Sequence, residues 1–285
     1  MAVPSVAIVS DSAAALPYGL QAKHRIHVIP LHLQIGHEIF TEGVNISAPR
    51  VIGALLDGRK VRTFEAPVAE LSRAYRECAE AGATHIVSIH MSSKITEMVT
   101  HAEEAAATSP IPVTVIDSGT MSMEQGFIVL AAAAVAGFGE TPEVVTAATM
   151  RAMQNTKMLF TVSTLDYVHR DGQIPGLIKF LGNSMNLRPI LAVRDGKVKV
   201  IGKERETGPG RERVRSEIQA YAATLTRPAV AYALVGGSAT DEGLAIETTG
   251  FAMEESPGAS MAAHAGPGTY VAAASDMPPE FMLTL

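Results

Sequence analysis

The apolar positions of the chain come in short runs that end in small polar residues. Val6-Ala7-Ile8-Val9 stops at Ser10-Asp11-Ser12, and Ile86-Val87-Ser88-Ile89-His90 stops at Met91-Ser92-Ser93. The run 113–116 stops at Asp117-Ser118. An apolar run closed by a polar loop is the pattern of a buried strand. A further strand is predicted over 28–35, where Pro30 argues for an edge or a bend because proline cannot donate to a ladder. Helical spacing predicts helices over 50–56, 68–81, about 94–108 and about 122–136. Another starts at Thr141-Pro142-Glu143, a cap followed by a first-turn proline and acid.

Strands that alternate with helices predict an α/β domain over 1–159, built as a doubly wound parallel sheet. Ligands of such sheets sit beyond the carboxyl ends of the strands, where the polar loops are. The rhythm changes from about 160. A strand is predicted over 159–162 and a helix over 164–170. The runs 190–193 and 197–201 flank Arg194-Asp195-Gly196, and Asp-Gly between two apolar runs is a hairpin signal. Helices over 211–225 and 240–248 and strands over 229–235 and 270–274 complete a second domain, α+β in class, over 160–285.

Few residues offer chemistry. Ser92-Ser93 lies between a strand and a helix. Its hydroxyls read either as helix caps or, with free helix N–H groups, as an anion site. His264-Ala265-Gly266-Pro267-Gly268 predicts a tight turn with close backbone approach and a His that can donate to a carboxylate. Ser93, His264 and Asp117 supply the members of a Ser–His–Asp set, without a G-x-S-x-G elbow. His24, His27, His32 and His37 do not make a metal site. Strand positions five apart point to opposite faces, and no Cys or nearby carboxylate completes a set. Lys203, Arg205, Arg211, Arg213 and Arg215 interleave with Glu204, Glu206 and Glu212, as on a solvated face or a protein-docking surface.

Composition narrows the class. With 47% hydrophobic and 18% charged residues the chain is not disordered. The net charge of -6 leaves no basic excess for a nucleic-acid backbone. A single cysteine, Cys78, permits no disulfide within the chain and reads as a core residue. The N-terminus lacks the features of a signal peptide, and the apolar run 127–136 is far below the ~20 residues of a membrane span. A cytoplasmic protein without a transmembrane segment is expected. Aromatics are 5%, Trp is absent and Met reaches 13, so an apolar pocket here would have aliphatic and methionine walls.

Together these segments resemble the DegV family over nearly the whole chain. The match runs through Val6–Ser12, Ile29-Pro30-Leu31-His32 with Glu42-Gly43-Val44, and Ser88-Ile89-His90-Met91-Ser92-Ser93. It continues through Val115-Ile116-Asp117-Ser118 with Met121-Ser122-Met123, and Thr164-Leu165-Asp166-Tyr167 through Gly172 and Ile174. It ends with Leu187-Arg188-Pro189-Ile190-Leu191, Asp195-Gly196-Lys197 and His264-Ala265-Gly266-Pro267-Gly268. The resemblance implies a fatty-acid-binding protein with one long-chain fatty acid in an apolar tunnel between two domains. It implies no cofactor and no catalytic residue. Thr63, Ser93 and His264 would hold the carboxyl group, with Ser92 and Gly266 beside them and Arg170 as a nearby cation. It further implies a fatty acid kinase partner that phosphorylates the presented carboxylate, docking near Arg205, Arg211 and Arg213. A hydrolase or acyltransferase using Ser93 with His264, and a lipid-sensing regulator docking through 203–215, remain as alternatives. The chain departs from the family pattern at Thr63-Phe64-Glu65-Ala66-Pro67, in place of T-S-Q-P, at Glu97 in place of a Gly, and at Gln173 in place of an Arg.

Overall fold

The computed structural model describes residues 5–167 and 187–285. Its first sheet is parallel throughout, in the order β2-β1-β6-β7. Its strands are β1 (Val6–Asp11), β2 (Ile26–Ile29), β6 (His85–His90) and β7 (Val113–Asp117). A small antiparallel sheet, β4-β3-β5, is inserted after β2. It consists of β3 (His32–Ile35), β4 (Glu38–Thr41) and β5 (Val61–Phe64). The stretch predicted as one strand over 28–35 is therefore two strands in two sheets. Pro30 and Leu31 separate them, because proline leaves the β1 ladder without a donor and turns the chain out of it.

The other sheet has the order β10-β9-β8-β13-β11-β12, with every pairing antiparallel except β11 with β12. Its strands are β8 (Thr156–Thr161), β9 (Arg188–Arg194), β10 (Lys197–Glu204), β11 (Pro228–Leu234), β12 (Phe251–Glu254) and β13 (Tyr270–Asp276). The predicted Asp-Gly hairpin joins β9 to β10. Asp195 and Gly196 both take positive φ, as a primed hairpin turn requires.

The helices are α1 (Tyr18–Lys23), α2 (Ala48–Leu56), α3 (Val68–Glu80), α4 (Met98–Ala106), α5 (Ser122–Gly137), α6 (Pro142–Gln154), α7 (Thr207–Ala222), α8 (Gly258–Ala265) and α9 (Pro279–Met282). Three expectations change. The helix predicted from about 94 begins at Met98, because residues 92–96 form a turn closed on the Ser92 carbonyl. The helix predicted over 240–248 is a run of turns, interrupted by Gly243 at φ 72°. The segment before the last strand, read as a loop, holds α8, and His264 lies in its final turn.

Helix α5 holds the two large sheets together. Its apolar residues face all directions, and every residue from Ser122 to Val135 is buried. A helix apolar all round belongs inside a core. Phe127 and Val129 share one cluster with Ile8 and Val87 of the parallel sheet and with Phe160 and Val271 of the mixed sheet. The small side chains of Ala131 to Ala134 let both sheets approach. Gly126 is required at closest approach, since a Cβ there would lie 2.5 Å from the Ala14 carbonyl oxygen. Cys78 is buried on α3, where loss of hydration raises its thiol pKa. Among the described residues no helix is long and apolar enough to cross a membrane.

Candidate functional site

A cavity of about 460 Å³ opens at the carboxyl ends of the parallel strands. Ala13 follows β1, Leu31 follows β2, Met91, Ile95 and Thr96 follow β6, and Met121 and Ser122 follow β7. The small sheet adds Arg62 to Glu65, and the mixed sheet adds Phe160 of β8 and Val198 of β10. Helix α8 closes the space with Ser260, Met261, His264 and Ala265. Walls therefore come from both parts of the chain. Among the described residues they include three methionines, Met91, Met121 and Met261, aliphatic residues, and Phe64 and Phe160 as the only rings besides His264.

Thr63 and His264 meet in this cavity. The Thr63 Oγ1 and His264 Nε2 atoms are 2.8 Å apart, across 201 residues of sequence. Thr63 is placed by β5, where it pairs with Leu33 of β3. His264 is placed by α8, and the anchor of α8 is Glu42. One carboxylate oxygen of Glu42 accepts from the Ser260 N–H at 2.8 Å and from its hydroxyl at 3.2 Å. The other accepts from Ser12 Oγ at 2.6 Å, and Ser12 Oγ in turn accepts from the Leu31 N–H. A carboxylate held at the N-terminus of a helix complements its positive end. The loop after β1 is thereby tied to the helix that carries His264.

The remaining predicted residues play other parts. Ser92 Oγ donates to the Gly196 carbonyl at 2.8 Å, linking the β6 loop to the β9–β10 hairpin. Ser93 is exposed, and its Oγ donates to Asp117 at 2.5 Å. Neither serine is among the residues lining the cavity. Gly266, at φ 75°, ends α8 and lies against Tyr167, where a Cβ would come within 2.0 Å of the ring. Arg170 and Gln173 lie outside the described residues. Of the charged stretch, Arg211 pairs with Glu242 and donates to the Gly268 carbonyl at 2.8 Å, so it braces the loop after α8. Arg213 is engaged by Glu204 and Glu217, while Arg205 is exposed. Among the described residues no group of three His, Cys, Asp or Glu could hold a metal ion.

The sequence reading did not single out Glu65 or Ser122 as wall residues. Glu65 Oε1 accepts from Thr96 Oγ1 at 2.8 Å and from the Glu97 N–H at 3.3 Å. Burial pushes its pKa up, but these hydrogen bonds outweigh burial and the carboxyl lies below its usual range. Ser122 is buried with φ 56°, and its hydroxyl has no hydrogen-bond partner among the described residues. The departure from T-S-Q-P was the available signal for Glu65. For Ser122 the signal was its place at the junction of a polar loop and an apolar helix. Chemically, a cavity with aliphatic and methionine walls and a hydroxyl–imidazole pair can hold an acyl chain and orient a small polar head.

Comparison with known proteins gives a consistent result. The family model described as "Uncharacterised protein, DegV family" matches residues 5–275. A DegV domain-containing protein of Streptomyces coelicolor is 38% identical over 201 residues, which cover 70% of this chain and 71% of that protein. The solved structure of a DegV family protein from Thermus thermophilus, described by its fatty acid binding, superposes with a TM-score of 0.87 at 29% identity. It covers 96% of this chain and 100% of that one. The fold also matches the Bacillus subtilis DegV, a fatty acid binding protein, with a TM-score of 0.87 at 23% identity, covering 96% and 99% of the two chains.

Proposed function

The chain belongs to the DegV family, and we propose that it binds one long-chain fatty acid in the cavity between its parallel and mixed sheets. The carrying observation is the Thr63–His264 pair in a cavity whose walls also offer Leu31, Met91, Ile95, Met121, Val198 and Met261. The Thermus thermophilus relative, described by its fatty acid binding, supports the same reading. A carboxylate leaving water needs hydrogen-bond partners, and a threonine hydroxyl and an imidazole supply them. The chain supplies the affinity, at about 0.8 kcal/mol for each buried CH₂. Leu31, Ile95, Met91 and Met261 offer the adaptable wall such a chain requires. Ser92 serves this reading indirectly, by fixing the β9–β10 hairpin that brings Val198 to the wall.

Protein purified from a bacterial host is expected to carry stoichiometric fatty acid, read by denaturing extraction and mass spectrometry. Thr63→Val and His264→Ala should each weaken palmitate binding about tenfold, the worth of a hydrogen bond to a charged group. Absence of bound lipid together with no binding of added palmitate or oleate overturns the proposal. The finer reading is presentation of the carboxylate to a fatty acid kinase. ADP release by such a kinase, dependent on this protein and its bound acid, tests it, and no release removes it. A serine hydrolase is not favoured, because Ser93 Oγ is bonded to Asp117 and His264 pairs with Thr63.

A further inference from the structure

Glu65 sits where a ligand's head group would otherwise find its best seat. Thr63 and Glu65 are two residues apart at the end of β5, so an extended chain turns both to one side, and both line the cavity. The turn entering α4 offers a hydroxyl, from Thr96, and an N–H, from Glu97. Such a pair suits an anion. Here the protein's own carboxylate has taken both. Arg62 lines the same cavity, and among the described residues no ion pair joins it to Glu65. His101 of α4 faces this region, but its Nδ1 is 2.8 Å from the Ala66 carbonyl oxygen.

We propose that Glu65 is a specificity-determining residue, whose carboxylate fills the anion seat beside Thr63 and His264 and disfavours a second carboxylate relative to a neutral, hydrogen-donating head. The inference rests on the reading of the cavity as an acyl site. A carboxylate ligand meets a like charge held in the same partly enclosed cavity, where Coulomb repulsion is stronger than in bulk solvent. An amide, an alcohol or a protonated acid meets an acceptor it can donate to. Chain length and wall contacts are the same in both cases, so the effect of Glu65 is confined to the head.

Displacement of a fluorescent fatty-acid probe by palmitate and by palmitamide measures the discrimination directly. Glu65→Gln keeps the shape and the acceptor that Thr96 needs while removing the charge. It should tighten palmitate binding about fivefold or more and move palmitamide less than about twofold. Glu65→Ser, with circular dichroism as the check on folding, should shift palmitate in the same direction. Palmitate binding that stays unchanged or weakens in both variants overturns the inference and leaves Glu65 as a brace for α4. If the wild-type protein binds neither the probe nor either ligand, it is the acyl reading of the cavity that fails.

Discussion

Two of the histidine–hydroxyl pairs among the described residues have surroundings that differ completely. His264 meets Thr63 at the cavity, half-buried, with an apolar space beside it. His90 meets Ser88 beneath the parallel sheet, with both residues at 0% exposure. The second pair is part of a closed relay. Tyr75 donates to Ser88 at 2.9 Å, Ser88 and the His90 Nε2 are 2.7 Å apart, and the His90 Nδ1 is 3.0 Å from Asp11. The tautomer follows from the partners: Ser88 donates to Nε2, and the Nδ1–H donates to the carboxylate. Asp11 also accepts from the N–H groups of Ala13 and Met91 and from the Gln125 amide, at 3.0–3.1 Å. A Ser, a His and an Asp in hydrogen-bonded order would read as catalytic if they were open. Sealed in the core and saturated, they join β1, β6, α3 and α5. Access to a cavity therefore distinguishes the binding pair from the structural one, although their residue types are nearly the same.

The sharpest test of that contrast is stability. Asp11→Ala strips four donors of one buried acceptor and should cost about 3–5 kcal/mol in urea unfolding, since each orphaned group keeps its desolvation penalty. His264→Ala, at the cavity, should cost about 1 kcal/mol or less while it weakens palmitate binding. Equal losses in the two variants would mean that the pairs do the same work and that the distinction is wrong.

What could be read from the sequence followed a physical division. Local signals carried far: the strand–loop alternation predicted the parallel sheet, Asp195-Gly196 the hairpin, and Thr141-Pro142 the start of α6. Where a second force competed, local patterns misled. Pro30 split one predicted strand, and the turn at Ser92 delayed α4 to Met98. At the site, Thr63 and His264 were expected together by resemblance, and the structure brings them together across 201 residues. The Ser92 and Ser93 roles were not legible. Their partners, Gly196 and Asp117, are set by tertiary contacts that no spacing encodes. Glu65 was visible only as a departure from pattern. Its meaning depends on Thr96 and Glu97 coming within reach of β5.

A third buried acid shows what happens between saturation and access. Glu124, in the first turn of α5, is nearly as enclosed as Asp11 but accepts fewer hydrogen bonds, a short one from Thr120 at 2.5 Å and one from the Met158 backbone. Burial pushes its pKa up to about 7, against the pull of the Thr120 hydroxyl and the Arg194 charge. The folded protein thus holds this proton more tightly than the unfolded chain, where the group titrates near 4.5. Stability linked to Glu124 is full below that pH, falls as pH rises towards about 7, and stays low above it. The loss is on the order of 3 kcal/mol. Glu124→Gln keeps the neutral form permanently. It should match the wild type most nearly at pH 4 and exceed it by that amount at pH 8, with urea midpoints at the two values as the measurement. Because only the difference between variant and wild type is read, other titrating groups cancel. Parallel curves would show that Glu124 ionises in the fold as freely as it does in the unfolded chain. The two hydrogen bonds from Thr120 and the Met158 backbone would then serve a buried carboxylate as well as the four that Asp11 receives.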